Sequence, residues 1–226
     1  MDTPYVFEWL EKTSSTQDDA RGLFADRPVV VAAGAQSHGR GRGDRQWVTA
    51  PRALAVSVCW APQWDPMSFG RLPLVAGLAA SDVVGAGLKW PNDLVDERGS
   101  KVGGILAESS GPIVTIGLGI NLFWPQAPEG YAALFRDDPG RREDLARAFA
   151  DRLLERVGRG SDRWDRDGYA TRCVTIGSTV TWQPGGVGEA IGIGEGGELI
   201  VRTPDGTKSL VTGEVWEVRA VVPPAT

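Results

Sequence analysis

Between residues 34 and 47 the chain reads Gly-Ala-Gln-Ser-His-Gly-Arg-Gly-Arg-Gly-Asp-Arg-Gln-Trp. Gly39, Gly41 and Gly43 interleave with Arg40, Arg42 and Arg45, and Trp47 closes the run. The spacing suits neither an amphipathic helix nor an alternating strand, so the segment is expected to be a loop. Before it, residues 28–33 (Pro-Val-Val-Val-Ala-Ala) read as a buried strand. After it, residues 53–60 alternate and are rich in β formers, reading as a second strand. Glycines in such a loop let the backbone approach a ligand, and consecutive N–H groups form an anion-binding concavity. Arginines add forked, permanently charged donors, and a Trp offers a flat face for a base. The segment is thus expected to close over an anionic, nucleotide-like ligand. It is not a dinucleotide fingerprint, because Asp44 stands where a third glycine is needed and Pro51 leaves no room for a helix.

The 226 residues suffice for one large domain, or a medium and a small one, and 42% hydrophobic content predicts a packed core. A net charge of −5 argues against a general nucleic-acid binder, so the arginine cluster is read as local. One histidine, His38, excludes multi-histidine metal centres and disfavours Ser-His-Asp chemistry; it is read as a loop residue. Cys59 and Cys173 lie outside any metal-ligand spacing and read as apolar packers of a reducing compartment. The start of the chain carries no signal-peptide pattern and no run of ~18 apolar residues is found, so a soluble, cytoplasmic protein is expected.

Residues 5–10 read as a short strand, and Ser14-Ser15-Thr16 precedes a helix running to about residue 25. Residues 69–84 suggest a buried helix and 88–90 a strand stopped by the Pro91-Asn92-Asp93 turn. Residues 102–108 and 113–122 form a predicted hairpin. Residues 141–157 form a predicted amphipathic helix with Leu145, Phe149, Leu153 and Val157 on one face and a Glu143–Arg147 pair. Few βαβ alternations favour an α+β fold with a mixed sheet. Beyond about residue 171, short β runs at 180–182, 189–193, 199–202 and 215–218 suggest a small barrel. The expected division is 1–172 and 173–226.

Three further runs carry polar groups in patterns that suit chemistry. Lys89-Trp-Pro-Asn-Asp93 gathers a cation, an amide and a carboxylate around a proline-fixed turn, though Asn92 and Asp93 bonding the backbone explain it equally well. Lys101-Val-Gly103-Gly104-Ile-Leu-Ala-Glu108 sets a lysine at the mouth of a strand, and Gly117-Leu-Gly-Ile-Asn121 ends a glycine-bearing strand on an amide. Each alone is consistent with ordinary structure.

Taken in order, Ser15-Thr16-Gln17, Gln36 to Trp47, Lys89 to Asp93, Lys101 to Leu106 and Gly117 to Asn121 resemble the biotin protein ligases. The resemblance covers roughly residues 5–172 and extends to a Gly192…Gly213-Glu214-Val215 pattern similar to that family's SH3-like barrel. Gln17 stands where the family has Asn, and Asp44 where it usually has Gly. The Ser-Thr element begins at Ser15, which leaves no room for the helix-turn-helix of longer members, so a ligase-only chain without DNA binding is expected.

The resemblance implies a two-step reaction: the biotin carboxylate attacks the α-phosphate of ATP, and a lysine of a biotin carboxyl carrier domain then attacks the biotinyl-AMP. It assigns Ser15, Thr16, Gln17, Gln36, Gly39, Arg40, Gly41, Arg42, Lys101, Gly103 and Gly104 to biotin. It assigns Arg42, Arg45, Trp47, Lys89, Asn92, Lys101 and Asn121 to ATP. Lys101, Arg42 and Asp93 are its catalytic candidates, with Asp93 orienting or deprotonating the incoming lysine. Mg²⁺ is expected to ride in on the ATP phosphates, with no metal site on the protein. No membrane association and a monomer or weak homodimer are expected. A lipoate or octanoate ligase or transferase on the same fold, or a non-catalytic biotin-binding module, remain alternatives.

Overall fold

The computed structural model describes residues 4–43, 45–138, 140, 142–211 and 219–220. Asp44, the 213–215 pattern and the 215–218 strand lie outside the described residues, as does Arg141.

The first part of the chain is a seven-stranded sheet. Its strands are β1 (Val6–Leu10), β2 (Val29–Ala33), β3 (Arg52–Trp60), β4 (Gly87–Lys89), β5 (Asp93–Val95), β6 (Lys101–Ser110) and β7 (Ile113–Phe123), in the order β1-β2-β3-β7-β6-β5-β4. β1 and β2 are parallel, joined through helix α1 (Thr16–Leu23); the other pairings are antiparallel. The sheet is therefore mixed and the fold α+β, as the run of hairpins predicts. The 102–108/113–122 hairpin is present and longer than expected, pairing Ser110 with Ile113 across its turn.

The two faces of the sheet differ in side-chain size, because strand residues alternate between faces. Leu54, Val56 and Val58 of β3, with Ile116, Leu118 and Ile120 of β7, join one large core with helices α2 (Leu72–Val84) and α3 (Arg142–Gly158). Burying one such aliphatic side chain contributes about 1.5–3 kcal/mol. The opposite face carries Ala55, Ser57 and Cys59 on β3, paired with Gly119, Gly117 and Thr115 on β7. Helix α1 covers part of it, packing Ala20 on Val29, Val31 and Cys59. Where the covering stops, the small residues leave a hollow.

Helix α2 begins at Leu72 rather than at 69, since Pro66–Arg71 forms a 3₁₀ turn and Pro73 takes the first helical turn. Pro66–Val84 is by length and composition apolar enough to cross a membrane, against the sequence expectation; α2 is a core helix with Leu72 and residues 74–81 buried. In α3 the buried stripe is Ala146, Phe149, Ala150, Leu153 and Val157, with Leu145 at its edge. Arg147 lies 3.5 Å from the Phe7 ring centroid, so the sheet draws it instead of Glu143.

After α4 (Arg166–Arg172), strands β8 (Thr179–Trp182), β9 (Gly186–Ile193), β10 (Leu199–Thr203), β11 (Gly206–Leu210) and β12 (Arg219–Ala220) form a second, antiparallel sheet ordered β11-β10-β9-β8-β12. Its inner residues, among them Val180, Ala190, Leu199 and Val201, belong to the same apolar cluster as α2. Two buried indoles tie it down: Trp90 Nε1 donates to the Gly197 carbonyl at 2.9 Å, and Trp164 Nε1 to that of Glu195 at 3.0 Å.

Candidate active site

A cavity of about 350 Å³ opens on the small-residue face of the seven-stranded sheet. That is the scale of a small-molecule site. Its floor is Ala55 and Ser57 of β3, Gly117 and Gly119 of β7 and Gly104 of β6.

One end is polar and buried. Ser15 occupies the N-cap position of α1 without its side chain capping the helix, and is 2% exposed. The backbone N–H and the hydroxyl of Thr16 both donate to Gln36 Oε1, at 2.8 and 3.1 Å. The single hydroxyl hydrogen of Thr16 is thereby spent, so in its 2.8 Å contact with Thr16 the buried Ser57 hydroxyl is the donor. Gln36, its carbonyl doubly engaged, keeps its amide NH₂ as a donor. Gln17 donates from Nε2 to Glu108 Oε2 at 3.2 Å, while its Oε1 is buried without a partner.

The glycine–arginine segment forms a narrow hairpin over the opening. Gly41 N–H bonds the Arg45 carbonyl at 2.8 Å and Trp47 N–H that of Gly39 at 2.9 Å. Gly43, with φ 64°, makes the reversal that a side chain disfavours. Arg40 turns toward α1: its guanidinium grips both Asp18 oxygens, at 2.7 and 2.9 Å, and reaches Glu108 at 3.3 Å. The Asp18 carboxylate holds the Arg40 pKa above its ordinary value. Arg42 lies half-buried with one nitrogen 3.4 Å from Asn92 Oδ1. Burial pulls its pKa down, and Asp93 works in the opposite sense. Trp47 lies on the floor, against Gly104 and Gly119.

The far end is the Lys89–Asp93 turn, with Lys89 paired to Asp93 across β4 and β5. Asn92 Nδ2 donates to the Ile105 carbonyl at 2.8 Å, which fixes the turn on β6. Lys101 Nζ donates to Asp93 Oδ1 at 2.5 Å and stands 5.5 Å above the Trp47 ring. Among the described residues, four cationic side chains, Arg42, Arg45, Lys89 and Lys101, thus border the cavity at this end, against one carboxylate there, Asp93. The arrangement suits a ligand with several negative charges.

Of the residues expected from sequence, Ser15, Thr16, Gln17, Gln36, Arg40, Gly41, Arg42, Arg45, Trp47, Lys89, Asn92, Asp93, Lys101 and Gly104 border the cavity. Three are placed elsewhere. Gly39 lies behind the hairpin, against Gln36 and Trp47. Gly103, one residue out of phase with Gly104, faces the opposite side, where a β-carbon would come within 2.8 Å of the Gly119 carbonyl. Asn121 is fully buried and donates to the Ala132 carbonyl at 3.2 Å. Ser57, Glu108 and Tyr131 were not singled out by sequence. The register that sets Ser57 opposite Gly117 and Glu108 opposite Thr115 carried that information, and a lone Ser within an apolar strand was its only local mark. His38 is a loop residue, bonded at 3.1 Å to Ser37 and away from the cavity.

Among the described residues no three His, Cys, Asp or Glu side chains are grouped to hold a metal ion. The carboxylate that borders the cavity among these residues, Asp93, is paired with Lys101.

The chain is similar to known proteins in sequence and in fold. The family model described as Biotin/lipoate A/B protein ligase family matches residues 6–121. A biotin–[acetyl-CoA-carboxylase] ligase of Mycobacterium tuberculosis is 35% identical, over 93% of this chain and 88% of that protein. One from Paracoccus denitrificans is 30% identical, over 92% and 98%. The structure of a biotin protein ligase from Aquifex aeolicus in complex with biotin and ATP superposes with a TM-score of 0.81, at 25% identity, covering 96% of this chain and 99% of that one. On this match and these identities, the chain belongs to the biotin/lipoate A/B protein ligase family.

Proposed function

We propose that this chain attaches biotin to a lysine of a biotin carboxyl carrier domain, such as that of acetyl-CoA carboxylase, at the expense of ATP. The observation that carries the reading is the polarity of the cavity. An uncharged hydrogen-bonding end, built by Thr16, Gln17, Gln36 and Ser57, suits a ureido ring; a cationic end, built by Arg42, Arg45, Lys89 and Lys101, suits a triphosphate.

In the first step a biotin carboxylate oxygen attacks the α-phosphorus, the bond to the β-phosphate oxygen breaks and pyrophosphate leaves. The substrate supplies the nucleophile, so the chain's task is positioning and charge stabilisation. Lys101 serves where negative charge builds between carboxylate and α-phosphate. Arg42 and Arg45 serve the carboxylate and phosphates, Lys89 and Asn92 the phosphates and ribose, and Trp47 the adenine. Asn121 serves the nucleotide end indirectly, by its grip on the 131–135 segment. Gly41 and Gly104, which border the cavity, let backbone and ligand come close. Mg²⁺ arrives as part of the ATP substrate. In the second step the carrier lysine attacks the anhydride carbonyl, AMP leaves, and Asp93 receives or directs the amine proton. Arg40, held by Asp18, anchors the segment that covers biotin.

The catalytic unit is assigned to residues 1–172 and an SH3-like barrel to 173–226, in a cytoplasmic protein, monomeric or weakly dimeric, that binds neither DNA nor membrane. Cys59, buried beneath the sheet with its thiol pKa pushed up by burial, gives no support to a cysteine-based acyl transferase.

The test is pyrophosphate release from ATP and Mg²⁺ with biotin, with lipoate and with neither, followed by transfer to a carrier domain. Biotin-dependent release and a single labelled lysine are expected. Release that depends on lipoate, or none, overturns the reading.

A further inference from the structure

Glu108 touches three groups at once. Its Oε2 accepts from Gln17 Nε2 at 3.2 Å, from Arg21 at 3.0 Å and from Arg40 at 3.3 Å. We propose that Glu108 is a positioning residue: it fixes which end of the Gln17 amide faces the ligand, and so makes the cavity floor select a ligand with an N–H at that point. The proposal rests on the biotin reading and deepens it.

The argument is one of donor and acceptor types. An ionised carboxylate only accepts hydrogen bonds, so the side of the Gln17 amide against Glu108 must be its NH₂. Arg21 and Arg40 hold Glu108 in place through ion pairs at 3.0 and 3.3 Å. The amide cannot turn over without facing its carbonyl to the carboxylate. Its Oε1 is therefore committed to the other side, against the floor at Gly117, where a β-carbon would lie 3.2 Å from it. Gln17 is 5% exposed and this oxygen has no partner. A buried acceptor left unmatched is costly, and a ligand donor removes that cost. A ureido ring carries two N–H groups; a dithiolane or a plain acyl chain carries none. A site built to bond an N–H rejects analogues that lack it far more strongly than a purely apolar pocket does. Among carboxylic acids of similar length, the pair Glu108–Gln17 then admits the ureido compound.

A double-mutant cycle of Glu108→Ala and Gln17→Ala tests this, read by calorimetric binding of biotin, of biotin methylated on both ureido nitrogens, and of lipoate, with the KM values for biotin and ATP. Glu108→Ala is expected to weaken biotin on the order of tenfold or more, while the ATP KM stays within about twofold. In the Gln17→Ala background the same change is expected to have little further effect. The wild-type preference for biotin over the methylated form is expected to narrow in Glu108→Ala. Should the alanine variant not fold, Glu108→Gln carries the same cycle. Undiminished loss in the Gln17→Ala background, or biotin and ATP KM rising together, overturns the proposal, because Glu108 then acts through the loop or the fold. Those results leave biotin-dependent pyrophosphate release by the wild type standing. Absence of that release overturns the functional reading itself.

Discussion

The Trp47 indole occupies the space that a side chain at Gly119 would need: a β-carbon there would lie 2.9 Å from both Cε2 and Cζ2 of the ring. Trp47 belongs to a loop, whereas Gly119 is paired on both sides, to Ala55 and to Gly104. The loop is the partner that gives way. Gly119→Ala is expected to displace Trp47 at an overpacking cost of about 1–3 kcal/mol. The ATP KM should rise roughly tenfold or more, with the circular dichroism spectrum retained and the melting temperature lowered by roughly 2–12 °C. An unchanged ATP KM would end the proposed part of Trp47 in nucleotide binding.

Lys101→Ala is expected to slow adenylate formation by about 10²–10³-fold, the loss typical of one donor aimed at developing charge. Asp93 loses its 2.5 Å partner in the same change. Pyrophosphate release in single-turnover conditions measures it, and near-normal release would take Lys101 out of the mechanism.

Arg42→Gly should spare part of the first step and loosen the hold on the acyl-adenylate. The half-buried guanidinium, 3.4 Å from Asn92, supplies charge-assisted bonds that contribute about 1.5–3 kcal/mol each. Escaped biotinyl-AMP would acylate any exposed amine. Biotin incorporation into an unrelated bystander protein is the readout; if the variant makes the adenylate yet labels the bystander no more than wild type does, the retention role fails.

Far from the cavity, Asp82 on α2 accepts from Arg156 of α3 at 2.7 and 2.9 Å and from Arg172 of α4 at 2.7 Å. Burial by itself raises the Asp82 pKa, but the two arginines outweigh it and hold the group below its ordinary 3.8. A carboxyl depressed by folding stabilises fully above its unfolded pKa and loses that contribution as the pH falls toward its folded value. Asp82→Asn leaves Arg156, itself 7% exposed, with Asp165 alone, at a cost of about 3 kcal/mol. The melting temperature should fall by roughly 6–12 °C near neutrality. Between pH 5 and 3 the wild type should lose more of its melting temperature than the variant; parallel slopes would show that Asp82 is not part of the acid sensitivity.

The longer strands of the first sheet were legible because their apolar residues alternate or run continuously, and the glycine–arginine segment because nothing regular accommodates it. Three elements left too little trace. β5 spans three residues, α4 seven, and β11 reads Gly-Thr-Lys-Ser-Leu; each is held by its neighbours more than by its own pattern. Within the site, Lys89, Asp93 and Lys101 could be grouped by motif. Ser57 and Glu108 could not, since their place depends on which residue faces which across β3, β7 and β6. Gly103 shows the same dependence: adjacent to Gly104 in the chain, it lies on the other side of the sheet.

Trp90 precedes the turn that carries Asn92 and Asp93, and its indole ends on the Gly197 carbonyl of the second sheet, with its own N–H bonded at 3.0 Å to Thr175. Exchanging the C-terminal segment between relatives is therefore not a neutral graft. A chimera whose 194–197 corner is shaped differently would shift the Trp90 anchor, and the fault would surface as poor nucleotide handling although every residue bordering the cavity is native. Surveys that grade substitutions by distance from the ligand would pass over Thr175 and Gly197, the two groups that hold Trp90 at both of its N–H donors.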